Sequence, residues 1–158
     1  MERFIMQDLI AWKNRKDRKP LILLGARQVG KTYILKELGQ REFENVAYIN
    51  CDNNAMAKDL FALDYNIDRI LLTIGAITGV NIEAGKTLII MDEIQELHRG
   101  LASLKYFCEN AREYHVAVAG SLLGLALHQG ESYPVGKVNT LEMYPMTFEE
   151  FLWARGFK

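Results

Sequence analysis

Cysteine, proline and histidine are scarce in this chain of 158 residues, with two, three and three copies. Two cysteines, Cys51 and Cys108, cannot build the multi-bridge framework of a small secreted domain. They also belong to no cluster with metal-ligand spacing, so free, partly buried thiols in a reducing compartment are expected. His98, His115 and His128 are scattered and read as structural or exposed. Charge of one sign is not in excess: 19 basic residues face 20 acidic ones, for a formal net charge of -1. No global field therefore draws the chain to nucleic acid or to an anionic membrane. No apolar run is long enough to cross a bilayer. The opening MERFIMQDLIAWKNRKDRK carries charges on both sides of a short apolar stretch and lacks a small-residue cleavage site, unlike a secretory signal. A cytoplasmic protein is expected. No internal repeat, low-complexity tract or interdomain linker is evident.

What the chain does have is the balance of an ordinary globular domain, 49% apolar and 25% charged residues, enough for one core. Phe4, Ile5, Leu9 and Trp12 recur at helical spacing, predicting an amphipathic helix over Glu2–Asn14 and a basic turn to residue 19. Pro20 forces an extended start. Leu21 to Leu24 is a wholly apolar run closed by Gly25, the pattern of a strand buried on both faces. A helix is expected over Lys31–Leu38 with Gly39 as its stop, then a strand over Val46–Asn50. Asn53 is expected to cap a helix to about Ala62, and Asp68 to Ile77 forms another before Gly79. Thr87 to Met91 and Val116 to Ala119 are further apolar strands. Between them Leu97, Leu101, Leu104, Tyr106, Phe107 and Ala111 mark a long helix. Leu122 to Leu127 can make one or two helical turns, Val138 to Met143 is a fifth strand, and Thr147 with Glu150 forms a capping box for a last helix. Strands alternating with helices imply an α/β sandwich on a mostly parallel sheet.

Gly25-Ala26-Arg27-Gln28-Val29-Gly30-Lys31-Thr32 is a complete G-x-x-x-x-G-K-T between a buried strand and a helix. The glycines permit a tight turn in which successive N–H groups face one concavity and cradle phosphate oxygens. The helix that starts near Lys31 adds its positive dipole end. Lys31 is the point charge for the β- and γ-phosphates, and the Thr32 hydroxyl is a hard oxygen ligand for Mg2+. Arg27 and Gln28 lie within the loop, in position to contact nucleotide or a neighbour. Tyr33 follows it, either beside the base or as an ordinary core or surface aromatic. About 60 residues on, Leu88 to Met91 runs straight into Asp92 and Glu93. Ligands of open parallel sheets sit beyond the carboxyl ends of the strands. Asp92 is thus the candidate holder of Mg2+, mostly through water, and Glu93 the candidate base for a water attacking the γ-phosphate.

The phosphate loop, the acidic strand end and a further strand ending in Gly120-Ser121 resemble the additional-strand, AAA-type P-loop ATPases. GARQVGKT, MDEIQ, AGSLLG and YPMTFEEFL together resemble the AAA-type domain of a prokaryotic predicted-ATPase family, over roughly Pro20 to Trp153. The resemblance implies a three-layer α/β/α sandwich with a five-stranded parallel core in the order 5-1-4-3-2. It implies ATP and Mg2+ as ligands. It also implies that the chain, with its core over residues 20–155, precedes a C-terminal domain of uncharacterised function. The apolar final stretch Phe148, Phe151, Leu152 and Trp153 is consistent with a chain that continues, or with a helix packed on its own domain.

By position, Ser121 matches the polar sensor of the γ-phosphate; the alternative is that it caps the short helix after it. Gln95 is a candidate for a polar network around the γ-phosphate. No arginine lies between Arg112 and Arg155, where related enzymes place an arginine finger. Lys137 is the only cation in its stretch, and lysine gives no planar bidentate contact. A finger would then come from a neighbouring copy or from the C-terminal part. Arg15, Lys16, Arg18 and Lys19 read as a solvated helix end rather than a nucleic-acid contact. Three functions stand: an ATP hydrolase that drives the attached domain, a slowly hydrolysing nucleotide switch, and, last, a small-molecule kinase.

Overall fold

Apolar runs of four to six residues become strands because, between two helical layers, both faces of a sheet are buried and alternation disappears. In the computed structural model, which describes residues 4–26, 29–121, 134, 136–145, 149, 152 and 155–156, five strands form one sheet, three of them buried along all or nearly all of their length and the two edge strands only in part. They are β1 (Leu21–Leu24), β2 (Asn45–Asn50), β3 (Thr87–Asp92), β4 (His115–Gly120) and β5 (Asn139–Glu142). Every pairing is parallel, and the order β2-β3-β4-β1-β5 is the expected 5-1-4-3-2 read from the other edge. The helices are α1 (Ile5–Lys13), α2 (Lys31–Glu42), α3 (Ile67–Thr78) and α4 (Gly100–Asn110).

The period of two along each strand sorts the core into two layers. Leu21, Leu23, Leu88, Ile90, Ala117 and Ala119 face α1 and α2 through Leu9, Trp12, Ile34 and Leu38. Ile22, Ala47, Ile49, Ile89, Met91, Val116 and Val118 face α3 and α4 through Ile70, Ile74, Leu104 and Phe107. Among the described residues no helix is long and apolar enough to cross a membrane.

Several local expectations need correction. Residues 53–62 form successive turns, not a helix capped by Asn53. Asn54 makes the local side-chain bond, accepting from the Ala57 N–H at 3.1 Å. The backbone closes three-residue turns instead, with the N–H groups of Ala57, Leu60 and Ala62 bonded to the carbonyls of Asn54, Ala57 and Asp59. Ala57, Leu60 and Phe61 are nonetheless buried, so helical apolar spacing served packing without a helix. Gly39 does not stop α2, which continues to Glu42. A Cβ there would lie 2.2 Å from Val46 Cγ2, so the glycine lets α2 approach β2. The long helix marked from Leu97 starts later: a 3-10 turn precedes it at Ile94–Glu96, Arg99 adopts a left-handed φ of 63°, and α4 begins at Gly100. In α1 the buried face is Met6, Leu9 and Trp12, whereas Phe4 is exposed. α3 agrees closely, capped by Asn66 and ended by Gly79 at φ 71°. The short helix after Ser121 and the capping box at Thr147 and Glu150 lie outside the described residues, as does His128.

Candidate functional site

The parallel sheet brings three chain segments to one edge. β1 ends at Leu24 and leads into Gly25, β3 ends at Asp92, and β4, lying between them, ends at Gly120 and leads into Ser121. Gly25 is needed where it stands, because a Cβ would come 2.7 Å from the carbonyl oxygen of Met143. Gly30 turns the chain into α2 with φ 98°, a left-handed conformation that strains residues with a Cβ. Val29 packs half-buried against the α2 side of the core. Arg27 and Gln28 lie outside the described residues.

A cleft of about 520 Å3 opens over this edge, lined by Gly30, Lys31, Thr32, Tyr33, Asp52, Asp92, Glu93 and Glu96. The Lys31 side chain is buried, and its ammonium donates to the carbonyls of Gly25 at 2.8 Å and Ala26 at 2.9 Å. The Thr32 hydroxyl donates to Asp92 Oδ2. The Tyr48 hydroxyl, from β2, donates to the same oxygen at 2.8 Å. Burial, with Asp92 adding to it, pushes the Tyr48 phenol well above its ordinary range, so it remains a donor. Tyr33 is exposed at the rim.

Glu93 occupies the left-handed region at φ 55°, rare for a residue with a side chain and typical of functional turns. Its Oε2 accepts from Gln95 Nε2, and Gln95 is buried with its own Oε1 unpartnered. Ser121 is buried one residue past β4, at the same strand edge as Asp92. Cys51 lies beside the site, its N–H bonded to the Asp92 carbonyl at 2.9 Å. Burial, reinforced by the charges of Asp92, Glu93 and Glu96, pushes its thiol up to about 12.

The donor set fits the groups that the resemblance implies. A hydroxyl and a carboxylate in contact at the mouth of a cleft are the hard oxygen pair suited to Mg2+, which keeps most of its waters. Among the described lining residues, four carboxylates against one ammonium suit a polyphosphate that arrives with a divalent cation better than a bare anion.

Tyr48, Asp52 and Glu96 were missed by sequence reasoning. Asp52 had a usable signal, since it lies just past a strand at the carboxyl edge where open parallel sheets place ligands; Tyr48 and Glu96 had none beyond their type. Lys137 is not in the cleft: its ammonium pairs with Glu109 at 3.4 Å. Of the basic turn, Arg15 pairs with Asp17 and Arg18 donates to the carbonyls of Arg112 and Tyr114.

The chain is 30% identical over 153 residues to the uncharacterized protein MJ1637 of Methanocaldococcus jannaschii. That match covers 87% of the chain and 28% of the relative, so the chain spans little more than a quarter of the relative's length. In fold it is similar to the Aeropyrum pernix ORC1 protein, solved in complex with DNA. The TM-score is 0.52 and the identity 14%, covering 96% of this chain and 47% of that one. The family described as AAA domain matches residues 17–152. With the phosphate loop, the sheet order and that match in agreement, the chain belongs to the AAA domain family of P-loop ATPases.

Proposed function

We propose that this domain binds and hydrolyses Mg-ATP and that turnover drives or regulates a further, C-terminal domain of the same polypeptide. The observation that carries the reading is the hydrogen bond from Thr32 to Asp92, which joins the phosphate-loop helix to the acidic strand end. Gly25 to Lys31 supply the backbone N–H groups that cradle phosphates. Lys31 exchanges its two loop carbonyls for phosphate oxygens. Thr32 and Asp92 would hold the Mg2+, and Tyr33 would flank the nucleotide at the rim. When bound, the metal neutralises charge on the phosphates and polarises them. Glu93 takes the proton of the attacking water as the bond from the γ-phosphorus to the bridging oxygen breaks. Gln95 orients the Glu93 carboxylate, and Ser121 orients the water or the γ-phosphate. A cationic finger comes from a second copy or from the C-terminal domain. The likeness to ORC1 is one of fold, so DNA binding is not part of the proposal.

A second reading, the slow switch, is favoured by one feature: the Glu93 carboxylate is engaged by Gln95, which hinders a base. Turnover per protomer across a wide range of protein concentration, with Glu93→Gln as the blank, separates the two. A rate that climbs with concentration supports hydrolysis completed by a neighbour. A near-zero rate at every concentration that persists when the C-terminal domain is attached, with ATP still bound, supports the switch. No ATP binding at all overturns both.

A further inference from the structure

Asp92 is held from a third side by a residue that neither the phosphate loop nor the acidic strand contains. β2 and β3 pair in parallel with Tyr48 opposite Ile90 and Asn50 opposite Asp92. Tyr48 therefore starts two residues behind Asp92, about 6.6 Å along a strand. A tyrosine is long enough to reach forward over that gap, and its hydroxyl donates to Asp92 Oδ2 at 2.8 Å. The ring is held in turn, because the exposed Lys36 of α2 places its ammonium 4.0 Å from the ring centroid. A cation over the ring also withdraws electron density from the phenol and strengthens it as a donor.

The terminal torsion of an aspartate is broad and roughly two-fold, so its hydrogen bonds decide where the two oxygens point. Here the bonds from Thr32 and Tyr48 both fall on Oδ2. Oδ1 is then the oxygen presented to water or a cation among the described residues. We propose that Tyr48 is a positioning residue for the metal end of the site, fixing the Asp92 carboxylate so that Mg2+ meets a pre-oriented oxygen. The inference rests on the reading of Thr32 and Asp92 as the Mg2+ end.

The test is the Mg2+ concentration at half-maximal binding of a fluorescent ATP analogue, measured for the wild type, Tyr48→Phe, Lys36→Met and Thr32→Ala. Tyr48→Phe removes only the hydroxyl and is expected to raise the midpoint on the order of tenfold, the usual effect of losing a hydrogen bond to a metal ligand. Its affinity for the analogue without Mg2+ is expected to stay at the wild-type value. Lys36→Met is expected to raise the midpoint by about threefold, the worth of one exposed cation–ring contact. An unchanged midpoint in Tyr48→Phe overturns the assignment, as does an equal loss of binding with and without Mg2+. If Tyr48→Phe does not fold, Lys36→Met carries the test, and an unchanged midpoint there overturns it. A wild type that binds the analogue with no Mg2+ dependence overturns the underlying reading instead, and the inference falls with it. A normal wild-type midpoint that is lost in Thr32→Ala and unmoved in Tyr48→Phe removes Tyr48 alone.

Discussion

The hydroxyl of Thr32 and the carboxylate of Asp92 lie 60 residues apart in the chain and share a hydrogen bond at the carboxyl edge of the sheet. α2 delivers the first and β3 the second, on the same side of the sheet, because Leu88, Ile90 and Asp92 alternate toward α2. Thr32→Ala should leave the phosphate loop intact and remove one of the two hard oxygens proposed to hold the metal. Nucleotide affinity in the presence of Mg2+ should fall on the order of tenfold, toward the value measured without the metal. Calorimetric titration of ATP with and without Mg2+ checks this; a preserved difference excludes Thr32 as a ligand.

Lys31→Ala removes the single ammonium that faces four carboxylates among the described residues lining the cleft. Each charge-assisted bond lost is worth about 1.5–3 kcal/mol, so affinity should drop by roughly ten- to a hundredfold or more. The fold should survive, because the Lys31 side chain lines the open cleft, and water entering its place can bond the carbonyls it leaves. Equilibrium binding of a fluorescent nucleotide, with circular dichroism as the folding control, is the measurement; wild-type affinity would remove the phosphate site from this loop.

Gly39→Ala tests packing rather than chemistry. The added methyl would meet Val46 Cγ2 at 2.2 Å, and a β-branched side chain on a strand has little room to turn away. Helix propensity favours alanine, but overpacking of this kind costs about 1–3 kcal/mol and should prevail. Urea denaturation should show the loss, and Gly39→Ala with Val46→Ala should recover part of it. A single variant as stable as the wild type would mean that α2 shifts freely on the sheet.

His115 should make stability depend on pH. Its ring sits edge-on to Trp12 and Phe43, Nε2 lies 3.4 Å from the Lys13 carbonyl, and Nδ1 is buried without a partner. Burial, with the nearby Arg18 charge, lowers its pKa from 6.5 to about 4. Between those values the unfolded chain binds a proton that the folded chain refuses, so stability is lost as pH falls from 6.5 toward 4. Allowing for partial solvent screening, the loss should be on the order of 1–2 kcal/mol. Urea midpoints of the wild type and His115→Phe at pH 7 and at pH 4.5 give the comparison. The same slope in both would assign the effect to other groups.

The parts of the fold that were legible in the sequence are those whose cause is local. Leu21 to Leu24, Thr87 to Met91 and Val116 to Ala119 read as strands because a strand covered on both faces must be apolar at every position. Residues 53–62 misled because Ala57, Leu60 and Phe61 have helical spacing and are buried, while the backbone beneath them closes three-residue turns that bury the same face without a helix. Gly39 looked like a stop because a glycine near a helix end usually is one, and only its distance to Val46 explains why the helix runs through it. Tyr48 gave no warning, since its partner is 44 residues away.

By itself the sequence carried the phosphate-loop motif, because a turn of backbone N–H groups needs only contiguous residues with glycines where the chain must bend. It also determined that Asp92 and Glu93 end a buried strand. The tertiary structure alone decided which groups meet there: Thr32 and Tyr48 on one oxygen of Asp92, Gln95 on Glu93, and Asp52 and Glu96 across the cleft. Those meetings follow from strand order and register, in which β4 separates β1 from β3 and β2 pairs Asn50 with Asp92. Order and register are fixed by how two helical layers bury a parallel sheet, a property of the whole core that no short stretch of residues carries.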